Sequence, residues 1–143
     1  MKRIALLVAA LLLAAPAHAQ KFQADSNINV TSVMITASNT ATVVTDRPAT
    51  VYGVDATNVT TGAVFVKLYN ATSGTCGTGT PVARYGIPAS LSGANLAAPN
   101  SNGDAYSKGV VMCIVKDITD AGTTSPDSGT GVLNLHWKQL VSP

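Results

Sequence analysis

Apolar and polar residues alternate along several short segments of this chain, with the period of two that is typical of half-buried β-strands. Two segments show it best, residues 63–70 and residues 131–140. The first would place Val64, Val66 and Leu68 on one face and Phe65, Lys67 and Tyr69 on the other. The second would place Leu133, Leu135 and Trp137 together. Six further strands are predicted near residues 27–36, 40–45, 50–58, 80–87, 90–96 and 108–117.

The segments between these strands are rich in residues that favour turns, such as Asp46-Arg47-Pro48 and the long stretch 120–129. No stretch of a dozen residues keeps the spacing of an amphipathic helix. The sequence therefore predicts an all-β fold. Its expected form is a single antiparallel two-sheet β-sandwich of about eight strands, with jelly-roll or immunoglobulin-like topology.

The segment 109–115 is apolar on both of its predicted faces. A strand of this kind is expected at the centre of a sheet, with one face on the core. Its second face must be covered as well, either by a loop of the same chain or by a partner subunit. Both alternatives are open at this point.

The N-terminus has the pattern of a secretory signal peptide: two cations, an apolar run from Ile4 to Ala15, and Ala17-His18-Ala19 before a cleavage point. The apolar run is shorter than the roughly 20 residues that span a membrane. We therefore expect residues 1–19 to be removed and residues 20–143 to form one exported domain, in the periplasm or outside the cell, with no membrane span.

Charged residues make up 11% of the chain, against about 25% in an average protein. The seven acidic residues are all aspartates, and seven cations remain beyond the signal peptide, so the predicted mature chain has no net charge. No basic surface is available to attract phosphate groups. Nucleic acid is therefore not an expected partner.

Cys76 and Cys113 are the only cysteines. Cys76 lies in the glycine- and threonine-rich connection 71–79, and Cys113 lies in the predicted central strand. Because export leads to an oxidising compartment, we predict a disulfide between them. Closing a loop of roughly 40 residues would stabilise the fold by roughly 4 kcal/mol. The alternative is two free thiols.

Catalytic chemistry has few candidates here. His136 is the one histidine beyond the signal peptide, and no nucleophile, phosphate-binding or zinc motif occurs. Asp117, Asp120 and Asp127 gather in one loop, which suggests paired carboxylates or a calcium site, although aspartates in such loops more often form turns. We expect no enzymatic activity, no cofactor and no metal centre; calcium at this loop is left open.

Several segments resemble a mostly uncharacterised family of small β-sandwich proteins of tailed bacteriophages and prophages. They are VYGVDATN at 51–58, VKLYN at 66–70, TCGTGTPV at 75–82, IPA at 87–89, GVVMC at 109–113 and VLNLHWK at 132–138. The resemblance implies a virion-associated accessory protein that decorates the head or contributes to tail or fibre structures. It implies no catalytic residue.

Our leading hypothesis is a non-enzymatic structural or accessory protein of phage type that binds a virion or envelope protein, with homo-oligomers as an open alternative. Phe65, Lys67 and Tyr69 are the candidate binding residues, unless they form a second packed layer. The second hypothesis is a secreted or periplasmic module that binds a glycan or a cell-surface ligand. Its stacking rings would be Tyr52, Tyr69, Tyr85, Tyr106 and Trp137.

Overall fold

The computed structural model describes residues 28–36, 38–98, 100–127 and 131–140, and the predicted signal peptide lies outside these ranges. Within them the chain forms nine β-strands and no helix. They are β1 (Asn29–Ile35), β2 (Thr42–Thr45), β3 (Ala49–Asn58), β4 (Val64–Asn70), β5 (Ala83–Ile87), β6 (Leu91–Ala97), β7 (Asp104–Tyr106), β8 (Val110–Val115) and β9 (Gly131–Gln139). The predicted all-β fold is confirmed.

The strands form two antiparallel sheets. Sheet A has the order β1-β9-β3-β6, with β7 also paired to β3, and sheet B has the order β2-β8-β4-β5. The pairs are nested, because β4 pairs with β5, β3 with β6 and β7, β2 with β8, and β1 with β9. A long antiparallel ribbon rolled up in this way is a jelly roll. The strand order therefore selects the jelly roll from the two predicted topologies.

The core lies between the two sheets, and it is formed by the faces that the alternation predicted. Val64, Val66 and Leu68 of β4 are fully buried, as are Leu133 and Leu135 of β9. Each such side chain contributes about 1.5–3 kcal/mol when it leaves water. The period of two thus positions the strands, because a shift of one residue would turn these side chains outward.

Strand β8 lies at the centre of sheet B, between β2 and β4, and all six of its residues are buried. Val110, Met112 and Ile114 belong to the main core. Val111 and Cys113 point to the other side, where they form a second cluster with Tyr69 and Cys76. Of the two alternatives for this second face, the structure shows cover by loops of the same chain.

The ninth strand, β7, is the one that the sequence pattern missed. It has three residues and pairs with Ala49–Val51 of β3, beyond the point where β6 pairs with Gly53–Asn58. The chain leaves the sheet edge between β6 and β7, and Gly103 turns it back with a φ of +84°. Glycine adopts this conformation readily, because glycine has no Cβ. Three residues among turn formers are too few to show an alternation.

A buried asparagine joins the end of β3 to the neighbouring turns. Asn58 is fully buried. Its amide nitrogen donates to the carbonyl oxygens of Gly62, Ile87 and Pro88 at 3.1, 3.4 and 2.9 Å. Its side-chain oxygen accepts from the backbone N–H and the hydroxyl of Thr60. The side chain therefore satisfies polar groups that the sheets leave unpaired at this end of the sandwich.

Candidate functional site

The predicted disulfide is present. The sulfur atoms of Cys76 and Cys113 are bonded, and the two Cα atoms are 5.7 Å apart. Cys113 is fully buried in β8 and Cys76 is 6% exposed. Tyr69 and Val111 pack around the bridge. The bond thus fastens the connection 71–79 onto the outer face of sheet B.

The turn that carries Cys76 is closely packed. Gly77 has a φ of +80°, and a Cβ at this position would lie 2.4 Å from the methyl carbon of Thr123 and 2.9 Å from the carbonyl oxygen of Ala121. Its backbone N–H points to the hydroxyl of Tyr69 at 3.4 Å. Glycine is therefore required here both by the backbone conformation and by the close approach of a second loop.

That second loop comprises residues 116–127, and we call it the covering loop. It follows β8 and lies over Lys67, which is fully buried although it is a lysine. The ammonium nitrogen of Lys67 donates to the carbonyl oxygens of Thr119 at 2.5 Å and Gly122 at 2.8 Å. The lysine thus supplies donors to backbone acceptors of a segment that has no sheet partner.

Burial and three nearby charges act on the pKa of the Lys67 ammonium. Burial lowers the pKa of Lys67 below its ordinary value, whereas the negative charges of Asp117 and Asp120 raise it, and the positive charge of Arg84 lowers it further. Burial is the largest of these effects. A buried cation of this kind is tolerated because two of its three N–H donors are bonded to fixed carbonyl groups.

The three aspartates of the covering loop each have a partner within the protein. Asp117 accepts a hydrogen bond from the backbone N–H of Thr124 at 3.0 Å. The side chain of Thr124 first, and then this backbone bond, lower the pKa of Asp117. Asp120 pairs with Arg84, and Asp127 pairs with Lys116 at 2.7 Å. Only Asp117 bonds the backbone of its own loop, as a turn-forming aspartate does, whereas Asp120 and Asp127 pair with cationic side chains. Among the described residues, no group of three or more His, Cys, Asp or Glu side chains could hold a metal ion.

The outer face of sheet A is different, because no loop of the described ranges covers its β1 and β9 strands. His136 of β9 and Asp55 of β3 meet there, with 2.7 Å between Nε2 and a carboxylate oxygen, and both remain partly exposed. Nearby, Ser32 donates to Asn134 at 2.7 Å. A shallow groove of about 270 Å³ runs beside them, lined by Asp55, Ala56, Thr57, Gly93, Ala94, Val132 and Asn134.

The same face carries exposed apolar side chains on two adjacent strands. Val30 and Met34 of β1 are 54% and 57% exposed, and Val132 of β9 is 43% exposed. Met34 and Val132 are direct cross-strand partners. We call these three residues the β1–β9 patch. Strand β1 is an edge strand of sheet A, so the patch ends at an unpaired backbone edge.

The candidate binding residues occupy a packed layer. Lys67 is fully buried and Tyr69 is 6% exposed, while Phe65 is half-buried. The structure brings them together on the outer face of sheet B, as the alternation required, but beneath or beside the covering loop. Binding through this trio stays a prediction, and the part of it that solvent reaches is Phe65.

Several contacts at these sites had no signal in the sequence. His136 pairs with Asp55, which lies 81 residues earlier in the chain. Three of the five rings considered for ligand stacking are buried, namely Tyr69, Tyr85 and Tyr106. The two that stay half-buried are Tyr52 and Trp137.

Comparison with known proteins adds little to this geometry. No family model matches the sequence, and no curated protein matches it. Among solved structures, the chain is similar to one from a Bacillus endospore appendage, described as belonging to a novel family of disulfide-linked pili. The identity is 20%, the match covers 80% of this chain and 90% of that one, and the TM-score is 0.38. A likeness at this level carries no argument.

Within the described ranges, the chain contains no helix with the length and apolarity needed to cross a bilayer.

Proposed function

We propose that this chain is a non-enzymatic structural protein of an exported assembly, and that it acts through contacts with other protein subunits. The observation that carries the proposal is the contrast between the two outer faces of the jelly roll. Tethered loops cover the centre of one face, around Lys67 and Cys113, whereas no loop of the described residues covers the β1–β9 patch on the other.

The loops over the outer face of sheet B are held by a disulfide and by hydrogen bonds from buried or partly buried cations. The disulfide fastens one loop to β8, and Lys67 and Arg84 hold the covering loop through its carbonyl and carboxylate oxygens. Such a face withstands conditions outside the cell, because its loops cannot detach without breaking a covalent bond or exposing a buried cation. We assign this face to stability.

Sheet A is where contact with a partner is expected. Exposed apolar residues scattered singly are ordinary on protein surfaces, but contiguous ones on a flat sheet face favour association. Met34 and Val132 are a contiguous pair of this kind, and Val30 lies on the same face of β1, on the other side of Ser32. At the opposite edge of sheet A, Gly93 of β6 has open space where a Cβ would lie, so a partner could also approach that strand closely.

The finer assignment rests on the sequence resemblance. We propose a phage-type accessory role, in virion decoration or in a fibre, for the exported protein. Jelly rolls occur both in viral capsid proteins and in lectins, so the fold does not decide between the two hypotheses. The burial of Tyr69, Tyr85 and Tyr106 favours the structural role, because these rings cannot stack on a sugar.

The test is site-specific photo-crosslinking in the oxidised, exported protein as its native host produces it. A photoreactive residue at position 34 or 132 should give a discrete adduct with a structural subunit, identified by mass spectrometry. The matched control is position 118, because Ile118 is 59% exposed but lies in the covering loop on the opposite side. No adduct at 34 or 132, or equal adducts at 118, would overturn the proposal.

A second measurement addresses the alternative. The purified mature protein is applied to a glycan array, with the Asp55→Ala variant as the control for the groove on sheet A. Reproducible binding that this variant loses would reject the structural assignment in favour of a glycan-binding module.

A further inference from the structure

Three buried oxygen atoms lie at the flank of the sandwich where β5 and β7 form sheet edges. They belong to Tyr85 of β5 and to Asp104 and Tyr106 of β7, whose exposed fractions are 5%, 5% and 0%. Both rings are part of the core between the sheets. Asp104 and Tyr106 are two residues apart on one strand, so both side chains point inward.

None of these three oxygens is paired within the described part of the protein. The hydroxyls of Tyr85 and Tyr106 and the Oδ2 atom of Asp104 have no hydrogen-bond partner there. The other carboxylate oxygen of Asp104 accepts from the amide of Asn100. Buried polar groups in folded proteins are nearly always hydrogen-bonded. Two of these exceptions belong to rings of one core cluster and the third lies on the same strand as Tyr106, so they call for a shared explanation.

The protons carried by these three oxygens determine which molecule can bind between them. Burial, together with the charge of Asp104, raises the pKa of Tyr85 to about 12. Burial, Tyr85 and Asp104 also raise the pKa of Tyr106 far above its ordinary value. Both phenols therefore keep their protons at neutral pH and need acceptors, whereas the free oxygen of Asp104 needs a donor.

We propose that Tyr85, Tyr106 and Asp104 bind one buried water molecule that bridges the two sheets. A water oxygen offers two lone pairs, which accept the two phenolic protons, and one of its own protons is donated to Oδ2 of Asp104. Three such bonds are the usual number for a buried water. A metal cation fits less well, because it would occupy the lone pairs of the phenols and leave two buried O–H groups without an acceptor.

The bridging water would bond β7 to sheet B and so add to the few hydrogen bonds that this short strand makes. A strand of three residues makes few ladder bonds, and among the described strands β7 pairs only with β3. Through the second oxygen of Asp104, the bridge also reaches Asn100 in the excursion between β6 and β7. The water thus connects both sheets and this loop at one point.

The test is oxygen-17 magnetic relaxation dispersion on the oxidised mature protein, which counts long-lived internal waters. The Tyr106→Phe and Tyr85→Phe variants should each have about one fewer than wild type. Tyr52→Phe, at a half-buried ring of β3, is the control and should leave the count unchanged. An equal count in all four proteins would overturn the proposal.

A crystal structure of the wild-type protein keeps the proposal testable if a variant does not fold. It should show one water within about 3.2 Å of all three oxygens. Direct hydrogen bonds between the side chains would contradict the proposal. So would a rise in the melting temperature with Na⁺, K⁺ or Ca²⁺ that Asp104→Asn abolishes, because that result would identify a cation as the ligand.

Discussion

The disulfide offers the sharpest test of the physical account of this fold. Its removal can be achieved in two ways, by reducing the wild-type protein or by replacing both cysteines in the variant Cys76→Ala/Cys113→Ala. The two perturbations differ in one respect. Reduction keeps both sulfur atoms in the cluster around Tyr69, whereas the double variant removes them.

The magnitude follows from the length of the closed loop and from the burial of the bridge. The cysteines are 37 residues apart in the chain. In the chain-entropy model, a disulfide that closes a loop of this length raises the free energy of the unfolded state by about 4 kcal/mol at 25 °C. Cys113 is fully buried and Cys76 nearly so, and each lost sulfur adds about the 0.8 kcal/mol of a buried methylene. We therefore expect losses of about 4 kcal/mol on reduction and about 5–6 kcal/mol in the double variant.

The assay is urea denaturation of the oxidised protein, the reduced protein and the double variant, followed by circular dichroism. Ser73→Ala is the matched control, because Ser73 is an exposed residue of the same connection and should change stability by less than about 0.5 kcal/mol. A reduced protein within about 1 kcal/mol of the oxidised one would refute the tether argument. Equal losses on reduction and in the double variant would refute the packing contribution.

Three further predictions concern side chains away from the bridge. Asn58→Asp should lower the free energy of unfolding by about 3 kcal/mol in thermal melts, because it replaces a buried amide donor by a charge among carbonyl oxygens. An equal loss of stability in the uncharged variant Asn58→Ser would contradict this reason. Lys67→Met should speed proteolysis within the covering loop at least tenfold, since one charged hydrogen bond is worth roughly 1.5–3 kcal/mol, while cleavage elsewhere stays unchanged. The lowered pKa of Asp117 stabilises the fold above the unfolded pKa of about 3.9, and this contribution is lost as the pH falls through the lower folded value. Melts between pH 5 and pH 2 should therefore show a shallower loss of stability for Asp117→Asn, and parallel curves would contradict the assignment.

The local pattern of the chain was sufficient to predict eight of the nine strands and the bridge. The alternation around Val66 and Leu135 placed both residues in the core, and the apolar strand 109–115 proved central in its sheet. The disulfide was predicted from two cysteines and an expected export signal, and it is present. These predictions succeeded because the period of a strand and the chemistry of a thiol pair depend on neighbouring residues and on the compartment.

Only the tertiary structure decided which outer face is sealed. A lysine between Phe65 and Tyr69 looks like a solvent-facing residue in the sequence, yet the covering loop, some 50 residues further on, buries Lys67 and binds its ammonium group. The Asp55–His136 pair and the trio of Tyr85, Asp104 and Tyr106 likewise join residues from distant strands. Nested strand pairing brings such residues together, and no local period of the sequence records it, because the partner of each strand is fixed only when the whole ribbon is rolled up.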